Sequence, residues 1–175
     1  MIEEVILVDE NDTEIGKMEK MEAHEKAILH RAFSVFIFNS DHDMLLQQRA
    51  LTKYHSAGLW TNACCSHPRP GENTLNAAKR RLYEELGFDT NIQKVFDFTY
   101  KASFDNGLTE HEFDHVFIGT YDQNISPNPD EVKDISFMSM DAILSSLTSE
   151  PAKYTAWFLI AFPKVYDWWK ASSLS

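Results

Sequence analysis

The chain of 175 residues is 43% hydrophobic and 13% aromatic, a composition that supports one domain with a real core and leaves no case for disorder. Its formal net charge of -11, from 16 basic and 27 acidic residues, argues against nucleic acid or an anionic membrane as the main partner. A small anionic substrate held by a local group of Lys and Arg stays compatible with it. No apolar stretch is long enough to span a bilayer, and the acidic start MIEEVILVDEND lacks the flanks of a signal peptide, so a cytoplasmic location is expected, in keeping with free cysteines.

EVILVDEN reads as a short strand ending in an acidic turn, and GKMEKMEAHEKAILHR, charged with little Gly or Pro, as mixed loop and helix. AFSVFIFNS and MLLQQRA are apolar runs on either side of SDHD, a hairpin signal. WTNACCSHPRPGE, from Trp60 to Glu72, then sets the only two cysteines of the chain side by side, just before His67. Neighbouring cysteines do not readily bridge each other, and there is no third to pair with either. They are free thiols in a reducing compartment, a metal pair, or one packed thiol beside one working thiol.

TLNAAKRRLYEEL places Leu75, Ala78, Leu82 and Leu86 at helical spacing, predicting a helix from Thr74 to Leu86 with Gly87 as its stop. NIQKVFDFTYKASF and TEHEFDHVFIGTY flank Asn106-Gly107, a strong hairpin dipeptide. DAILSSL and the aromatic tail AKYTAWFLIAFPKVYDWWK, over about residues 152–170, read as helices. Strands mixed with two or three helices predict a single α/β domain, helices packed on a mixed sheet.

The most specific stretch is GENTLNAAKRRLYEELGF. Together with Ser66 upstream, it resembles the Nudix box, Gly-x5-Glu-x7-Arg-Glu-U-x-Glu-Glu-x-Gly-U with U aliphatic, over about residues 66–88. Glu72, Arg80, Leu82, Glu84, Glu85 and Gly87 match, and Phe88 fills the last apolar place. Ser66 stands where the first Gly belongs, and Arg81 replaces the Glu after the Arg. A loop running into a helix lets carboxylates one turn apart face a cation bound with a diphosphate. Glu85 is the residue assigned to Mg²⁺, the alternative being a solvated helix face. The resemblance implies that hydrolases of the superfamily use the missing Glu to gather metals that activate water. A guanidinium there repels a metal cluster and suits a phosphate oxygen. A Nudix-type α/β/α sandwich that binds a diphosphate without cutting it is therefore expected.

A second group of ligand types lies outside the box. His24 and His30 flank HEKAILH, His67 follows the cysteines, and EHE supplies Glu110 and Glu112 on a predicted strand, where alternate residues share a face. Three imidazoles and two carboxylates suit Mn²⁺, Fe²⁺ or Zn²⁺ rather than Mg²⁺. Any one of these histidines alone reads more simply as structural or solvated, so the five together carry the reading.

From AHEKAILHRAFSVFIFN through LWTNACCSHPRPGE and RRLYEELG to EHEFDHVF, the chain resembles the type I isopentenyl-diphosphate isomerase family over most of its length. The resemblance implies a Nudix-fold enzyme of isoprenoid biosynthesis that interconverts isopentenyl and dimethylallyl diphosphate by moving a double bond. It implies His24, His30, His67, Glu110 and Glu112 as ligands of one divalent transition metal, Mn²⁺ ahead of Zn²⁺ or Fe²⁺. It further implies Mg²⁺ on Glu85 and the backbone of Cys65, with Cys65 and Glu112 as the catalytic pair. The family motif Trp-Thr-Asn-x-x-Cys-x-His-Pro makes Cys65 the working thiol and leaves Cys64 at a variable position, as a small packed residue. The competing reading, both cysteines sharing a metal with His67, conflicts with the two or more residues that normally separate such a pair.

Roles follow from the same resemblance. Glu112, relayed through Tyr100, is the expected acid at the terminal carbon, and Cys65 the base that removes an allylic proton. A thiol of ordinary pKa, ~8.5, has to be lowered for that task by nearby cations. Trp157 is expected as the aromatic face over the carbocation, with core packing as its alternative. Lys20, Arg49, Lys53 and Arg81 match the basic positions that hold the diphosphate. The expected partner is thus a five-carbon isoprenoid diphosphate, without nucleic acid or membrane, for a monomer or weak homodimer. A Nudix hydrolase would keep the Glu that Arg81 replaces and has no use for Cys65 or the EHE strand. A non-catalytic metal- or ligand-binding module would tolerate Cys65→Ala.

Overall fold

Among residues 1–172, which the computed structural model describes, nine strands form one mixed sheet with α-helices on both faces. In chain order the elements are β1 (Glu4–Val8), β2 (Glu14–Glu19), α1 (Lys20–Glu25), β3 (His30–Phe38), β4 (Met44–Arg49), β5 (Trp60–Thr61), β6 (Cys64–Ser66) and α2 (Thr74–Leu86). They continue with β7 (Ile92–Ser103), β8 (Thr109–Thr120), β9 (Val132–Met138), α3 (Met140–Ser149) and α4 (Ala156–Ala171).

HRAFSVFIF makes β3 the spine of the sheet. Every residue but Arg31 is buried, as expected of a strand covered on both faces. It runs parallel to β8, from His30↔Glu112 to Phe38↔Thr120. It pairs antiparallel with β1 at its start, β6 in its middle and β4 at its end. Outside these, β7 lies against β8, and β9 against β4. Side-chain alternation then separates two cores. Phe33, Val35 and Ile37 pack with Ala77, Ala78, Leu82 and Leu86 of α2. Phe36 and Phe38 pack with Ile143 of α3 and Phe158, Phe162 and Val165 of α4. Toward the start of β3 the second face carries only Ala32, Ser34 and His30, and this is where the site lies.

The helix expected at Thr74–Leu86 has those bounds. Asn73 caps it, its side chain accepting from Asn76 N at 3.2 Å. Gly87 stops it at φ 76°, donating to the Tyr83 carbonyl at 2.8 Å. A Cβ at Gly87 would lie 2.5 Å from the Ser126 carbonyl oxygen, so both backbone angle and space require glycine. Leu75, counted in the apolar stripe, is exposed instead, and Ala77 faces the core.

Four strands escape the sequence reading. β2 lies in the stretch read as mixed loop and helix; it is charged and mostly solvent-facing, so it shows no apolar alternation. β5 and β6 have two and three residues, too few for any period. β9 is half-buried with exposed polar positions and also lacks a clean pattern. The aromatic tail is not helical from its start. Pro151–Lys153 form a 3₁₀ turn, Tyr154 bridges to Trp60, and Thr155 caps α4 by accepting from Phe158 N at 3.3 Å. No helix among the described residues is long and apolar enough to cross a membrane.

Candidate active site

Four adjacent strands project several of the singled-out side chains from one face of the sheet. Tyr100 on β7 stands opposite Glu112 on β8, Glu112 pairs with His30 on β3, and Ser34 on β3 pairs with Cys65 on β6. Alternation also explains the cysteine pair, because successive residues of a strand point to opposite faces. Cys64 is fully buried in the α2 core, whereas Cys65 lines a cavity of about 660 Å³. Of the residues singled out in the sequence, Lys20, Arg49, Lys53, Cys65, His67, Arg81, Glu85, Tyr100, Glu110, Glu112 and Trp157 all line that cavity. His24 and His30 are buried beside it, with ring centres 5.7 and 4.9 Å from that of His67.

His24, His30, His67 and Glu112 offer ligand atoms that all lie within 4.8 Å of one another. His67 Nε2 is 2.8 Å from Glu112 Oε1 and 3.2 Å from His30 Nε2. His30 Nδ1 lies 2.8 Å from the Ile28 carbonyl oxygen, a contact that requires its proton on Nδ1 and turns the Nε2 lone pair into the cluster. His24 is only 1% exposed, yet neither of its ring nitrogens has a hydrogen-bond partner. Burial, together with repulsion from His67 and His30, brings its pKa down to about 3. A neutral imidazole left unsatisfied inside a protein is costly, and a divalent cation shared by three imidazoles and one carboxylate would satisfy it. The donor set therefore fits a transition metal. Burial opposes the charge on Glu112, but His67 and His30 outweigh it and hold the carboxyl well below its usual range.

Glu110 stands apart from these four. Tyr100 connects it to them: the hydroxyl donates to Glu112 Oε2 at 2.6 Å and lies 3.0 Å from Glu110 Oε2. Burial and then the Glu112 charge push Glu110 well above the carboxylate range, so the two carboxyls separate into one neutral and one ionised group. Burial, reinforced by both glutamates, also raises the Tyr100 phenol, which remains a donor throughout the neutral range. On its other side Glu110 faces His55 Nε2 at 3.6 Å. His55 stacks on Phe104 at 4.6 Å between ring centres and meets the Trp157 ring edge-on at 5.7 Å.

Cys65 Sγ donates to Asn62 Oδ1 at 3.1 Å and lies 3.4 Å from Ser34 Oγ. Although the residue keeps part of its surface open to the cavity, its low-dielectric surroundings and then Asp114 push the thiol up, and only the bonds to Ser34 and Asn62 pull it down. The lowered thiol asked for by the chemistry is therefore not supplied by the protein's own residues. Positive charge at the site would have to supply it.

The mouth of the cavity pairs its cations with carboxylates. Arg81 Nη1 bonds Glu84 at 2.6 Å, while Nη2 bonds Glu85 at 2.7 Å and lies 3.5 Å from Glu131. Glu85 is buried and also accepts from Gln47 Nε2 at 2.7 Å, so it is not part of a solvated helix face. Burial pushes its pKa up against the pull of Arg81 and Gln47. Lys53 pairs with Glu131, and Lys20 with Glu3 at 2.5 Å. The Arg49 guanidinium lies 5.1 Å from the centre of the Trp157 ring. Trp157 packs with Tyr100 and Ala102 and also lines the cavity, so core packing and a π-face on the site coincide in one side chain. Arg80 grips Glu72 with two bonds of 2.7 and 2.9 Å and braces the loop that enters α2.

Residues 28–158 match the NUDIX domain family. A curated isopentenyl-diphosphate Delta-isomerase of Pectobacterium atrosepticum is 53% identical over 168 residues, covering 96% of this chain and 94% of that protein. This chain belongs to the isopentenyl-diphosphate Delta-isomerase family. A second member, from Serratia proteamaculans, is 50% identical over 159 residues, or 91% of this chain and 89% of its own. Among solved structures, a Deinococcus radiodurans protein superposes with a TM-score of 0.78 at 16% identity, covering 94% of this chain and 99% of its own. The MutT protein of Methanosarcina mazei follows at 0.66 and 18%, with 82% and 96% covered. At such identities the likeness is one of fold, the α/β Nudix fold expected from the box.

Several residues of this isomerase-family site go unnoticed in the sequence. Asp114 continues the alternation of EHEFD and was open to the argument that grouped Glu110 with Glu112. Ser34 is a lone hydroxyl in an otherwise apolar run, and Asn62 stands in the quoted LWTN. Gln47, His55 and Glu131 carry no local signal, since their places depend on strand pairing and loop closure.

Proposed function

We propose that this protein interconverts isopentenyl and dimethylallyl diphosphate by adding and removing protons through a tertiary carbocation. The observation that carries the reading is one cavity lined by a thiol, Cys65, and by a carboxylate held to a histidine cluster, Glu112, with Lys and Arg at its mouth. An unactivated alkene is a very weak base, so its protonation needs an acid, a base placed to take the second proton, and exclusion of water from the cation. Tyr100 and neutral Glu110 bring protons to Glu112, which gives the acid side a proton to deliver through Glu112 or Tyr100. Cys65 takes the allylic proton, and the roles exchange in the reverse direction. The Trp157 ring offers its π-face to the cation, a contact worth about 2 kcal/mol or more when desolvated.

Lys20, Arg49, Lys53 and Arg81 hold the diphosphate. Mg²⁺ would sit on Glu85 and the backbone of Cys65, and Mn²⁺, with Zn²⁺ or Fe²⁺ as alternatives, on His24, His30, His67 and Glu112, with Glu110, expected as a fifth ligand, set back behind Tyr100. When bound, these cations would supply the positive charge that neutralises the diphosphate and favours the thiolate of Cys65. A monomer or weak dimer in the cytoplasm goes with this reading. The hydrolase alternative is disfavoured because Arg81, paired with Glu84 and Glu85, stands where a metal-gathering Glu would be needed.

Incubation with isopentenyl diphosphate and Mg²⁺ in D₂O, followed by NMR, separates the possibilities. Deuterium in the new methyl group of dimethylallyl diphosphate is the expected result. Release of inorganic phosphate would establish the hydrolase instead, and unchanged substrate a binding module.

A further inference from the structure

The working thiol is held from two sides. On one side stands Asn62, whose amide nitrogen donates to the carbonyls of Val35 at 2.9 Å and Cys64 at 3.0 Å. Those two bonds fix its Oδ1 as an acceptor, to which the Thr61 hydroxyl also donates at 2.9 Å. The Cys65 S–H therefore points at Asn62, and the sulfur lone pairs face elsewhere.

On the other side stands Ser34, the one hydroxyl of β3. It is 4% exposed, its Oγ donates to Asp114 Oδ2 at 2.7 Å, and that same oxygen lies 3.4 Å from Cys65 Sγ. Asp114 is 2% exposed, and its second oxygen, Oδ1, has no partner. Neither Ser34 nor Asp114 lines the cavity, so anything the pair does for a substrate passes through Cys65. As plain core filling the pair is poor, because two aliphatic side chains would occupy the space without a buried unsatisfied oxygen.

We infer that Ser34, clamped by Asp114, is a positioning residue for Cys65: Asn62 takes the S–H, the fixed Ser34 oxygen backs the sulfur in van der Waals contact at 3.4 Å, and together they hold the sulfur facing the cavity. The inference rests on the proposed reading that Cys65 removes the allylic proton. A sulfur held by Asn62 alone keeps a rotation about its own side chain. Misplacing a reacting atom by an ångström lowers a rate by up to about 100-fold. Substrate affinity, set by the Lys and Arg of the mouth, is left alone.

The test compares Ser34→Ala with Ser34→Thr, which keeps the hydroxyl, in steady-state isomerisation with unlabelled substrate and with substrate deuterated at the allylic carbon; thermal unfolding verifies the fold. The expected result for Ser34→Ala is a fall in kcat of about 10- to 100-fold, KM close to wild type, and an increased allylic isotope effect, with most of kcat restored in Ser34→Thr. A kcat close to wild type in Ser34→Ala would overturn the inference, as would a fall with no rise in the isotope effect. Should Ser34→Ala not fold, Asp114→Ala, which removes the clamp on Ser34, is measured against the same criteria. A wild-type protein that fails to isomerise would sink the reading beneath. Normal isomerisation that is indifferent to Ser34 would sink only the positioning role.

Discussion

Tyr100→Phe removes one oxygen and keeps the ring that packs with Ala102 and Trp157. The lost hydroxyl donates to Glu112 Oε2 at 2.6 Å and lies 3.0 Å from Glu110 Oε2. Both carboxyls are buried, and an acceptor left unsatisfied in the interior costs about 1–3 kcal/mol. For a chain of this size each kcal/mol lowers Tm by about 2–4 °C, so a fall of roughly 2–12 °C is expected in thermal unfolding. A group that passes a proton in the rate-limiting step contributes about 10²–10⁴ in rate, and kcat should drop within that span while KM changes little, because the cations of the mouth are untouched. Glu112 also loses the bond that orients it, and loss of such an outer partner weakens metal affinity by about 10- to 100-fold. Kinetics are therefore measured at saturating metal, with affinity read separately by calorimetry. An unchanged kcat alongside the expected fall in Tm would refute the proton relay and leave Tyr100 a structural role only.

Three further outcomes are expected. Arg81→Ala should raise KM by about 10- to 100-fold, matching the roughly 1.5–3 kcal/mol of a charge-assisted bond to phosphate. It should also lower stability by about 1–3 kcal/mol, less than for a fully buried pair because Arg81 keeps a fifth of its side chain exposed beside Glu85. Steady-state kinetics and denaturant unfolding check both, and an unchanged KM would remove Arg81 from the diphosphate site. Glu131→Gln should lower KM two- to fivefold, about the worth of a partly exposed ion pair, since Glu131 occupies Lys53 and Arg81; a higher KM would show instead that Glu131 helps to bind the substrate. In chelated protein His24 and His55 should each lower stability as pH falls below 6.5, against the opposite pull of Glu110, whose raised carboxyl keeps its proton in the fold. His24 and His55 titrate at about 3 and about 4 in the fold, both lowered first by burial, against 6.5 when unfolded. The unfolded chain thus takes up protons first, and each histidine removes about 1.4 kcal/mol per pH unit in that window. Denaturant midpoints of wild type and His55→Phe, compared from pH 6.5 to 4.5, isolate the histidine share: the variant should lose less stability than wild type as pH falls, and an identical pH dependence would contradict a buried neutral His55.

Much of the site was legible because its residues sit on regular elements. The α2 helix has its expected bounds, and strand alternation was enough to group Glu110 with Glu112. The same rule explains why Cys64 and Cys65 part company across β6. Glu110 shows the limit of that reasoning. Sharing a face with Glu112 does not place it in the same cluster, for the next layer of packing turns it toward Tyr100 and His55. His55, Gln47 and Glu131 depend on contacts made across the sheet, for which no local pattern exists. β2 and β9 were missed because edge strands half in water lack the apolar period that reveals buried ones. The thiol shift is likewise a property of the packed site, since only there do burial and Asp114 act on Cys65.

The proposed chemistry requires Cys65 and Glu112 to act on one substrate in one cavity. It is tested most directly by measuring turnover and isopentenyl diphosphate binding together in metal-loaded Cys65→Ala and Glu112→Gln. Each variant is expected to bind the diphosphate close to normally, through the untouched mouth, while turnover falls by about 10²–10⁴ or more. Wild-type turnover in Cys65→Ala would contradict the claim outright.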